Sequence, residues 1–465
     1  MTWSTGAAYF HPEYGLKAGR LADAITAVGP LLIDELSGNF WVYESGVWAQ
    51  DTGQIARRIV DALGERYRPS HARAVREVLA ARLERLVLAP VSRYLNFRNG
   101  MLRWDAPGGP ALVEHHPEFM STVQLPLDWN PDATCKDFDA FVESSIPVDD
   151  RARAWQILGY LLMSGNPLQR LFMLTGSGGN GKGVYLNVVR AILGEDNYSA
   201  VALQDFSDNR FAAADLYGKL ANVCGDIDST FIQNTGRIKE LSGDDKLNAE
   251  RKFGQPFKFL FWGKAIFSAN AIPGAADSSR GWLRRWEVIE FPYTPTKADT
   301  GLSARVTEQE SLEGIAVRAV HALCDLMSTE QFVSGESSTK ARSEFAEKAN
   351  KVIRWMNDPD GNVVQEEGVF NKGTILLKAF RAWEEHDSGN GNHPTGVQRF
   401  NELAKQAGLH YTIRSGTRGY VGLRVRDWVM VPERDRAYLN RGDPKCTSPE
   451  PPAPPPDEQT ALDLG

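Results

Sequence analysis

The sequence predicts a protein of the α/β class with a separate C-terminal module, and three observations support this prediction. From Leu171 onward, short apolar runs typical of buried strands alternate with segments of helical periodicity. A glycine-rich segment directly follows the first of these runs and precedes a helical segment. Near the C-terminus, two helical segments are followed by a basic hairpin around Ser415-Gly416, an arrangement that suggests a winged helix.

Periodicity and composition divide the chain into segments. Its 465 residues are too many for one ordinary hydrophobic core, so several domains are expected. Residues 169–300 hold the predicted core strands, which are Leu171–Thr175, Leu220–Cys224, Lys264–Ala269 and Trp286–Phe291. The other segments are an N-terminal α+β region (1–130), a helical segment (131–168), a second helical region (301–360), a winged-helix-like domain (361–432) and a Pro-rich tail expected to be disordered (433–465).

The composition excludes several classes of protein. Hydrophobic residues make up 42% of the chain and charged residues 24%, as in globular soluble proteins. No apolar run approaches the roughly 18 residues of a membrane span, and the first residues lack the pattern of a secretion signal. The four cysteines form no Cys-x-x-Cys pair, so neither a disulfide framework nor a zinc site is expected. We therefore expect a cytoplasmic protein that does not contact a membrane.

The net charge of −7 does not exclude a nucleic-acid partner, because the charges are unevenly distributed. Between Arg237 and Lys264 the chain carries seven basic residues against four acidic ones. A protein that follows a nucleic-acid strand needs positive charge along the path of that strand, not over its whole surface. The overall acidity is therefore uninformative.

The strongest motif is a predicted phosphate-binding loop (P-loop), which lies between a strand and a helical segment as such loops require. Its glycines let backbone N–H groups converge on a phosphate, and Lys182 would reach the β- and γ-phosphates of ATP. The alternative is a chance glycine-rich turn, which the flanking elements disfavour. The predicted nucleotide-binding residues are Gly176, Ser177, Gly178, Gly179, Asn180, Gly181, Lys182, Gly183 and Val184.

This loop departs from the P-loop pattern at one position. The pattern has Ser or Thr after the lysine, with a hydroxyl that holds Mg²⁺, and this chain has Gly183. Tyr185 is badly placed to substitute for that hydroxyl. We therefore expect Mg²⁺ to be held by water and by acidic residues elsewhere. This departure affects the expected efficiency of nucleotide hydrolysis, whereas nucleotide binding is still expected.

Acidic residues follow the second predicted strand. Asp226 and Asp228 lie just beyond Leu220–Cys224, the arrangement in which one carboxylate orients Mg²⁺ and another polarises the attacking water. We assign Asp226 to the metal and Asp228 to the water. An Asp-rich turn is the alternative, and the P-loop upstream favours the functional interpretation.

Polar residues beside the third and fourth strands are candidates for contacts with the γ-phosphate. Asn270 ends the strand Lys264–Ala269 and would act as a sensor of that phosphate, although Asn is also a common turn former. Arg284 and Arg285 precede the strand Trp286–Phe291. Either could be an arginine finger, a guanidinium that one subunit supplies to the nucleotide of its neighbour. Surface salt bridges are the alternative for both.

Two basic segments are candidates for contacts with DNA. Arg251, Lys252 and Lys258 alternate with aromatic residues near a predicted hairpin, which could project into a ring pore and hold phosphates. Arg414 and Arg418 lie on the predicted wing of the C-terminal module, where they could hold duplex DNA. A solvated charged face is the alternative for the first segment.

With these elements placed, the chain resembles superfamily 3 helicases of the phage/plasmid primase-helicase family, related to the poxvirus primase-helicase. The resemblance covers about residues 95–425, and its first part matches that family's helicase-associated region. The matching segments, in chain order, are Leu95–Gly100, Asp128–Pro131, Gly159–Leu161, Gly176–Lys182, Phe211–Leu216, Gly218–Leu220, Gly225–Asp226, Lys239–Asp244, Lys252–Phe253, Phe267–Asn270, Ile272–Pro273, Arg284–Trp286 and Phe291–Pro292.

The resemblance implies a core of the AAA+ type, a hexameric ring, ATP with Mg²⁺, and 3′-to-5′ movement on single-stranded DNA. It implies a DNA helicase that acts in phage, prophage or plasmid replication, within a bacterial host cell. Two features depart from the family pattern. One is Gly183, and the other is that the first 130 residues contain no acidic cluster of the kind that a primase domain would have. Two other interpretations are a nucleotide-switched, origin-binding initiator with little ATP turnover and a small-molecule P-loop kinase. The tail segment Gln459–Leu464 is similar to peptides that bind bacterial sliding clamps.

Overall fold

The computed structural model describes residues 6–87, 91–209, 211–227, 232, 235–250, 256–270, 273, 275, 279–296, 299–388, 395–426 and 439. The chain divides into two compact units, which are described separately below. The first contains Met1–Ala276 and Gly281–Phe345, and the second contains Asp277–Arg280 and Ala346–Gly465.

The N-terminal part of the first unit is a small sheet with helices. Its sheet has the strand order β5-β4-β3-β6, in which β4 and β5 form an antiparallel hairpin. Apolar side chains of the three helices form a buried core with Leu31 and Val42. The elements are β1 (Phe10–His11), β2 (Gly15–Leu16), α1 (Ala18–Thr26), β3 (Leu31–Asp34), β4 (Phe40–Glu44), β5 (Val47–Gln50), α2 (Gln54–Leu63), α3 (Pro69–Arg82) and β6 (Arg85–Leu86).

A three-stranded sheet and two helices join this part to the central core. The helical segment predicted over 131–168 contains two helices, because Pro147 lacks an N–H donor and Ile146 before it is extended. The elements are β7 (Tyr94–Phe97), β8 (Gly100–Arg103), β9 (Ala111–Val113), α4 (Lys136–Ser145) and α5 (Arg151–Leu162).

The central core is built on a five-stranded parallel sheet. Its elements are β10 (Leu171–Thr175), α6 (Lys182–Leu193), β11 (Tyr198–Ser199), α7 (Asp205–Asp208), β12 (Ala221–Cys224), α8 (Thr235–Glu240), β13 (Lys246–Ala249), β14 (Phe257–Leu260), β15 (Lys264–Ala269), α9 (Arg280–Leu283), β16 (Trp286–Glu290), α10 (Leu302–Val306), α11 (Gln309–Thr329) and α12 (Glu336–Ala349). The strand order is β11-β12-β15-β10-β16, and every pair is parallel. All residues of β10 and β15 are buried, as expected for parallel strands covered on both faces.

The topology of this sheet gathers the strand ends. Because the strands are parallel, their carboxyl ends lie at one edge of the sheet and their amino ends at the other. Strand β15 lies between β10 and β12, so the residue that follows β15 is placed between those that follow its two neighbours. The predicted strands Leu171–Thr175 and Lys264–Ala269 are confirmed residue for residue.

The second unit combines three helices with a three-stranded antiparallel sheet of order β17-β19-β18. Its core contains Trp355, Phe380, Trp383 and Phe400. The elements are α13 (Lys351–Asn357), β17 (Val363–Lys372), α14 (Gly373–Ser388), α15 (Val397–Gln406), β18 (His410–Arg414) and β19 (Thr417–Val425). The hairpin predicted near Ser415 is confirmed, whereas β17 was not predicted.

Candidate nucleotide site and nucleic-acid surfaces

The glycine-rich segment connects the end of β10 to the start of α6. At Gly176, with φ +144°, a Cβ atom would lie 2.4 Å from the carbonyl oxygen of Phe291. At Gly181, with φ +101°, it would lie 2.7 Å from the ring of Phe141. Both positions therefore need glycine, and the loop between them leaves its backbone exposed at Gly178.

Asn180 fastens this loop to the neighbouring strand. Its side chain is 2% exposed, and its Nδ2 donates a hydrogen bond to the carbonyl oxygen of Phe291, the residue that follows β16. The backbone N–H of Phe291 in turn donates to the carbonyl of Thr175 at 2.8 Å. Both ends of the loop, at Thr175 and at Asn180, are therefore bonded to the residue that follows β16.

Lys182 occupies the centre of the loop. Its Nζ atom donates to the carbonyl oxygens of Gly176 and Ser177, at 2.5 and 3.3 Å, and to Asn180 Oδ1 at 3.2 Å. Burial lowers the pKa of Lys182, and the negative charge of Asp226 acts in the opposite direction. The ammonium group thus lies among oxygen acceptors at the point where an anion could replace them.

Asp226 follows β12 and is held by β15. Its backbone is left-handed, with φ +50°, a conformation that residues other than glycine rarely adopt. Ser268 maintains it: the Ser268 Oγ accepts from the Asp226 N–H at 3.1 Å, and its carbonyl accepts from the Ile227 N–H at 2.9 Å. No role was predicted for Ser268, although a hydroxyl among the apolar residues that follow Lys264 in β15 was a visible signal.

Asn270 lies between the loop and Asp226. It is exposed directly after β15, and its Oδ1 is 3.4 Å from Lys182 Nζ. The parallel sheet therefore brings three of the predicted residues, Lys182, Asp226 and Asn270, to one edge. Asp228, the fourth one, lies outside the described residues, and so do Arg251 and Lys252.

At the amino end of β16, Arg284 and Arg285 lie at the opposite edge of the sheet. The Leu171 N–H donates to the carbonyl of Arg285 at 2.7 Å, which places this residue beside the start of β10. The length of β10, about 13 Å at the usual rise per residue, separates this edge from the P-loop. Neither arginine can therefore reach the glycine-rich loop of the same chain.

The two arginines have different surroundings. Arg284 is exposed, and its guanidinium donates to Gln169 Oε1 at 3.0 Å. Arg285 is half-buried, and its guanidinium donates to Ser242 Oγ at 3.1 Å and to the carbonyl of Gly281. Arg284 is therefore the better presented of the two for contact with another molecule.

The hairpin β13–β14 presents Lys258 to solvent. Lys258 is exposed and pairs across the hairpin with Asn248. On the other face of β14, Phe257 and Phe259 pack on Tyr217, with ring centroids 5.3 and 5.2 Å away. This packing of aromatic side chains thus fixes the strand that carries Lys258.

The arginines of the predicted wing have different environments within the second unit. Arg414 lies over the ring of Phe370, 5.6 Å from its centroid, and donates to the carbonyl of Gly368 at 3.4 Å. Arg418 is exposed on β19. Of these two, Arg418 is the more accessible to a phosphate.

Two other kinds of site are absent from the described part of the chain. Among its helices, none combines the length and the apolar character that crossing a membrane requires. The same residues contain no group of three or more His, Cys, Asp or Glu side chains arranged to hold a metal ion.

Two family models match parts of the chain. The model described as "D5 N terminal like" matches residues 31–147. The model described as "Family of unknown function (DUF5906)" matches residues 174–285, which include the P-loop, Asp226 and Asn270. Each model covers less than half of the chain.

The chain is also similar to a protein named "Putative helicase L207/L206" from Acanthamoeba polyphaga mimivirus. The two are 27% identical over 169 residues, which cover 34% of this chain and 17% of the viral protein. This chain therefore spans about a sixth of the length of that relative.

Among solved structures, two of the NrS-1 C terminal region are similar in fold. The first has a TM-score of 0.50 and 11% identity, and covers 86% of this chain and 98% of its own. The second has a TM-score of 0.50 and 12% identity, with coverage of 87% and 99%. At these identities the likeness concerns the fold alone. The D5-like segment and the relative named as a helicase relate this chain to proteins of the helicase and primase-helicase kind.

Proposed function

We propose that this protein is an ATP-driven DNA helicase of superfamily 3, acting in phage, prophage or plasmid DNA replication. The observation that carries the proposal is the division of the predicted residues between two edges of one parallel sheet. Lys182, Asp226 and Asn270 meet at one edge, whereas Arg284 is exposed at the other. A ring of such subunits would place the arginine of each against the nucleotide of the next.

The loop geometry supports binding of a triphosphate. Three loop glycines, Gly176, Gly179 and Gly181, have positive φ, a conformation that turns successive backbone N–H groups toward one side. Lys182 is 5% exposed and its Nζ contacts only oxygen acceptors among the described residues, so phosphate oxygens could replace those contacts without loss of hydrogen bonds. The donors present therefore fit the β- and γ-phosphates of ATP.

The residues present also fit Mg²⁺, with fewer protein ligands than a standard P-loop offers. Asp226 would hold the ion directly or through water, because its charge acts on Lys182 and its backbone is fixed by Ser268. When bound, Mg²⁺ would neutralise negative charge on the phosphates. Asn270 would orient the γ-phosphate or the attacking water, and Asp228 would polarise that water.

The strand order supports a core of the AAA+ type. An inserted strand between the P-loop strand and the acidic strand is what allows Asn270 to stand between Lys182 and Asp226. Assembly into a hexameric ring is proposed from the family resemblance, and the position of Arg284, out of reach of its own loop, supports a contact with a second copy of the chain.

DNA contacts are proposed for both units. In the first, Lys258 with Arg251 and Lys252 would hold phosphates of a single strand in the ring pore. In the second, the chain order helix–strand–helix–helix–hairpin and the sheet order β17-β19-β18 support the proposal of a winged helix, in which Arg414 and Arg418 would contact DNA. The 3′-to-5′ direction rests on the family resemblance. The relative named as a putative helicase supports the assignment to helicases in general.

A second candidate function is a nucleotide-switched initiator that assembles on duplex DNA and turns over little ATP. Gly183, which leaves the loop without a hydroxyl ligand, favours it. The two functions differ in one rate: a helicase accelerates ATP hydrolysis when single-stranded DNA is added, and an initiator of this type does not. Binding of a sliding clamp by Gln459–Leu464 stays a proposal, because that segment lies outside the described residues.

Replacing Lys182 by alanine tests the proposed function directly. The change removes the cation that would contact the β- and γ-phosphates, so DNA-stimulated ATPase and strand displacement on a tailed duplex should both be lost. Lys136→Ala, which removes an exposed lysine on α4, is the matched control and should unwind like the wild type. Unwinding that survives Lys182→Ala would exclude this loop from the mechanism.

Arg284→Ala and Arg285→Ala, assayed singly, should show which of the two adjacent residues is the arginine finger. We expect Arg284→Ala to lower kcat by about three to five orders of magnitude, as for other arginine fingers, with little change in ATP binding. Arg285→Ala breaks contacts within the subunit, to Ser242 and Gly281, and should mainly lower thermal stability. Steady-state ATPase and melting temperature of both variants decide the assignment, and the reverse pattern would transfer the role to Arg285.

Gly183→Ser should strengthen the use of Mg²⁺. Among the described residues no atom lies within 4 Å of the position that its Cβ would take, so the side chain fits. Its hydroxyl would supply the missing ligand, and half-maximal ATPase should therefore need less Mg²⁺ than in the wild type. Gly396→Ser, at an exposed glycine of the second unit that is equally open, serves as control. An unchanged Mg²⁺ dependence would show that the ion binds elsewhere.

Ser268→Ala should weaken the site without touching the nucleotide. The substitution leaves the Asp226 N–H without its acceptor, which should shift the carboxylate and weaken Mg²⁺-dependent nucleotide binding about 10-fold, a typical effect for a group that orients a metal ligand. Titration of a fluorescent ATP analogue with and without Mg²⁺ measures it. Binding in the absence of Mg²⁺ should change little. Ser144→Ala, at an exposed hydroxyl on α4, is the control; equal losses in both conditions would count against the orienting role.

A further inference from the structure

Three arginines surround one buried carboxylate at the amino end of β16. Glu287 is 1% exposed. Its Oε1 lies 3.3 Å from Arg170 Nε, and its Oε2 lies 3.8 Å from Arg153 NH1 and accepts a hydrogen bond from Arg342. These arginines come from the segment before β10, from α5 and from α12, so one side chain ties three elements to the edge strand.

The charges of the cluster nearly balance. Asp150 lies 3.7 Å from Arg153 NH1, and the negative charge of Asp149 also acts on that arginine. With Glu287, three carboxylates thus face the three arginines, and the charge of Arg284 acts on Arg170. Removing one member of such a buried group is costly, whereas well-packed apolar residues would often serve stability equally well. Stability alone therefore does not account for the arrangement.

A short chain of contacts leads from Glu287 to Arg284. Arg170, whose Nε faces Glu287, donates from NH1 to the backbone carbonyl of Arg284. The residue before it, Gln169, accepts a hydrogen bond from the Arg284 guanidinium at 3.0 Å. Gln169 itself has a left-handed backbone, with φ +53°, which costs energy and needs support from its surroundings. Both the backbone and the side chain of Arg284 are therefore held by residues 169–170.

We propose that Glu287 is a positioning residue for the arginine finger. The buried carboxylate fixes Arg170, and Arg170 in turn fixes the backbone of Arg284. In this way Glu287 sets the position and the direction in which the Arg284 side chain projects toward the nucleotide of the neighbouring subunit. Glu287 is remote from its own P-loop, since its register partner Phe172 lies near the start of β10, so its effect is on the adjacent site. The proposal rests on the proposed function, because it assumes that Arg284 acts between subunits.

Glu287→Gln keeps the shape of the side chain and removes its charge. We expect kcat for ATP hydrolysis to fall about 10- to 100-fold, the effect of a misplaced catalytic group, while KM changes by about twofold or less. Glu384→Gln is the matched control. Glu384 is another largely buried carboxylate, 9% exposed and paired with Lys351 in the second unit, so its substitution should lower the melting temperature and leave kcat near the wild-type value.

Mixing of variants distinguishes positioning from a general structural defect. The Lys182→Ala variant has an inactive nucleotide site and a correctly placed Arg284. The Glu287→Gln variant has an intact nucleotide site and a displaced Arg284. In rings assembled from equal amounts of both, about one interface in four joins the two intact halves. ATPase of the mixture should therefore exceed the sum of the two variants assayed separately. Arg284→Ala mixed with Lys182→Ala is the positive control.

The outcomes separate the two levels of the proposal. Recovery with both Arg284→Ala and Glu287→Gln supports the positioning role. Recovery with Arg284→Ala alone, or a wild-type kcat for Glu287→Gln, overturns it and leaves the helicase proposal intact. Recovery with neither removes the finger assignment and the positioning role together. ATPase that persists in Lys182→Ala alone would instead contradict the proposed function itself.

Discussion

The parallel pairing of β10, β12, β15 and β16 is the constraint on which the rest of the first unit depends. The strands point the same way, so residues far apart in sequence, Lys182, Asp226 and Asn270, follow them at the same edge. β10 and β15 are fully buried, and a slip of one residue would exchange the side chains of their two faces, which makes the register specific. Polar groups inside the sheet are used: Ser268 fixes Asp226, and the Asn222 side chain bonds the backbone of Val201.

Local patterns were sufficient to predict much of this fold. The strands Leu171–Thr175 and Lys264–Ala269 were identified to the residue because a short, mainly apolar run bounded by glycine or a polar residue has few other interpretations. β17, by contrast, escaped prediction. Its middle is polar and bends at Gly368, with φ +80°, and its partner β19 lies about fifty residues away. That strand exists through pairing that no local window contains.

The sequence was sufficient to select several residues of the candidate site, but not to predict the contacts that those residues make. Lys182, Asp226 and Asn270 could be selected because each follows an apolar run, and the structure brings them together. The difference between Arg284 and Arg285 was not visible, since adjacent arginines look alike until their neighbours, Gln169 and Ser242, are known. The same holds for Asn180, whose bond to Phe291 joins segments more than a hundred residues apart. Tertiary contacts of this kind leave no local signature.

Strand β16 connects the two edges of the sheet directly. At its end, Phe291 accepts the hydrogen bond of Asn180 from the P-loop, and just before its start Arg284 faces outward. This strand is paired to β10 along its whole length, so its two ends belong to one continuous parallel pair. In the proposed ring, β16 would therefore join the nucleotide site of one subunit to the arginine that this subunit presents to the next. In a closed ring, this link would transmit a change at each nucleotide site in a single rotational sense.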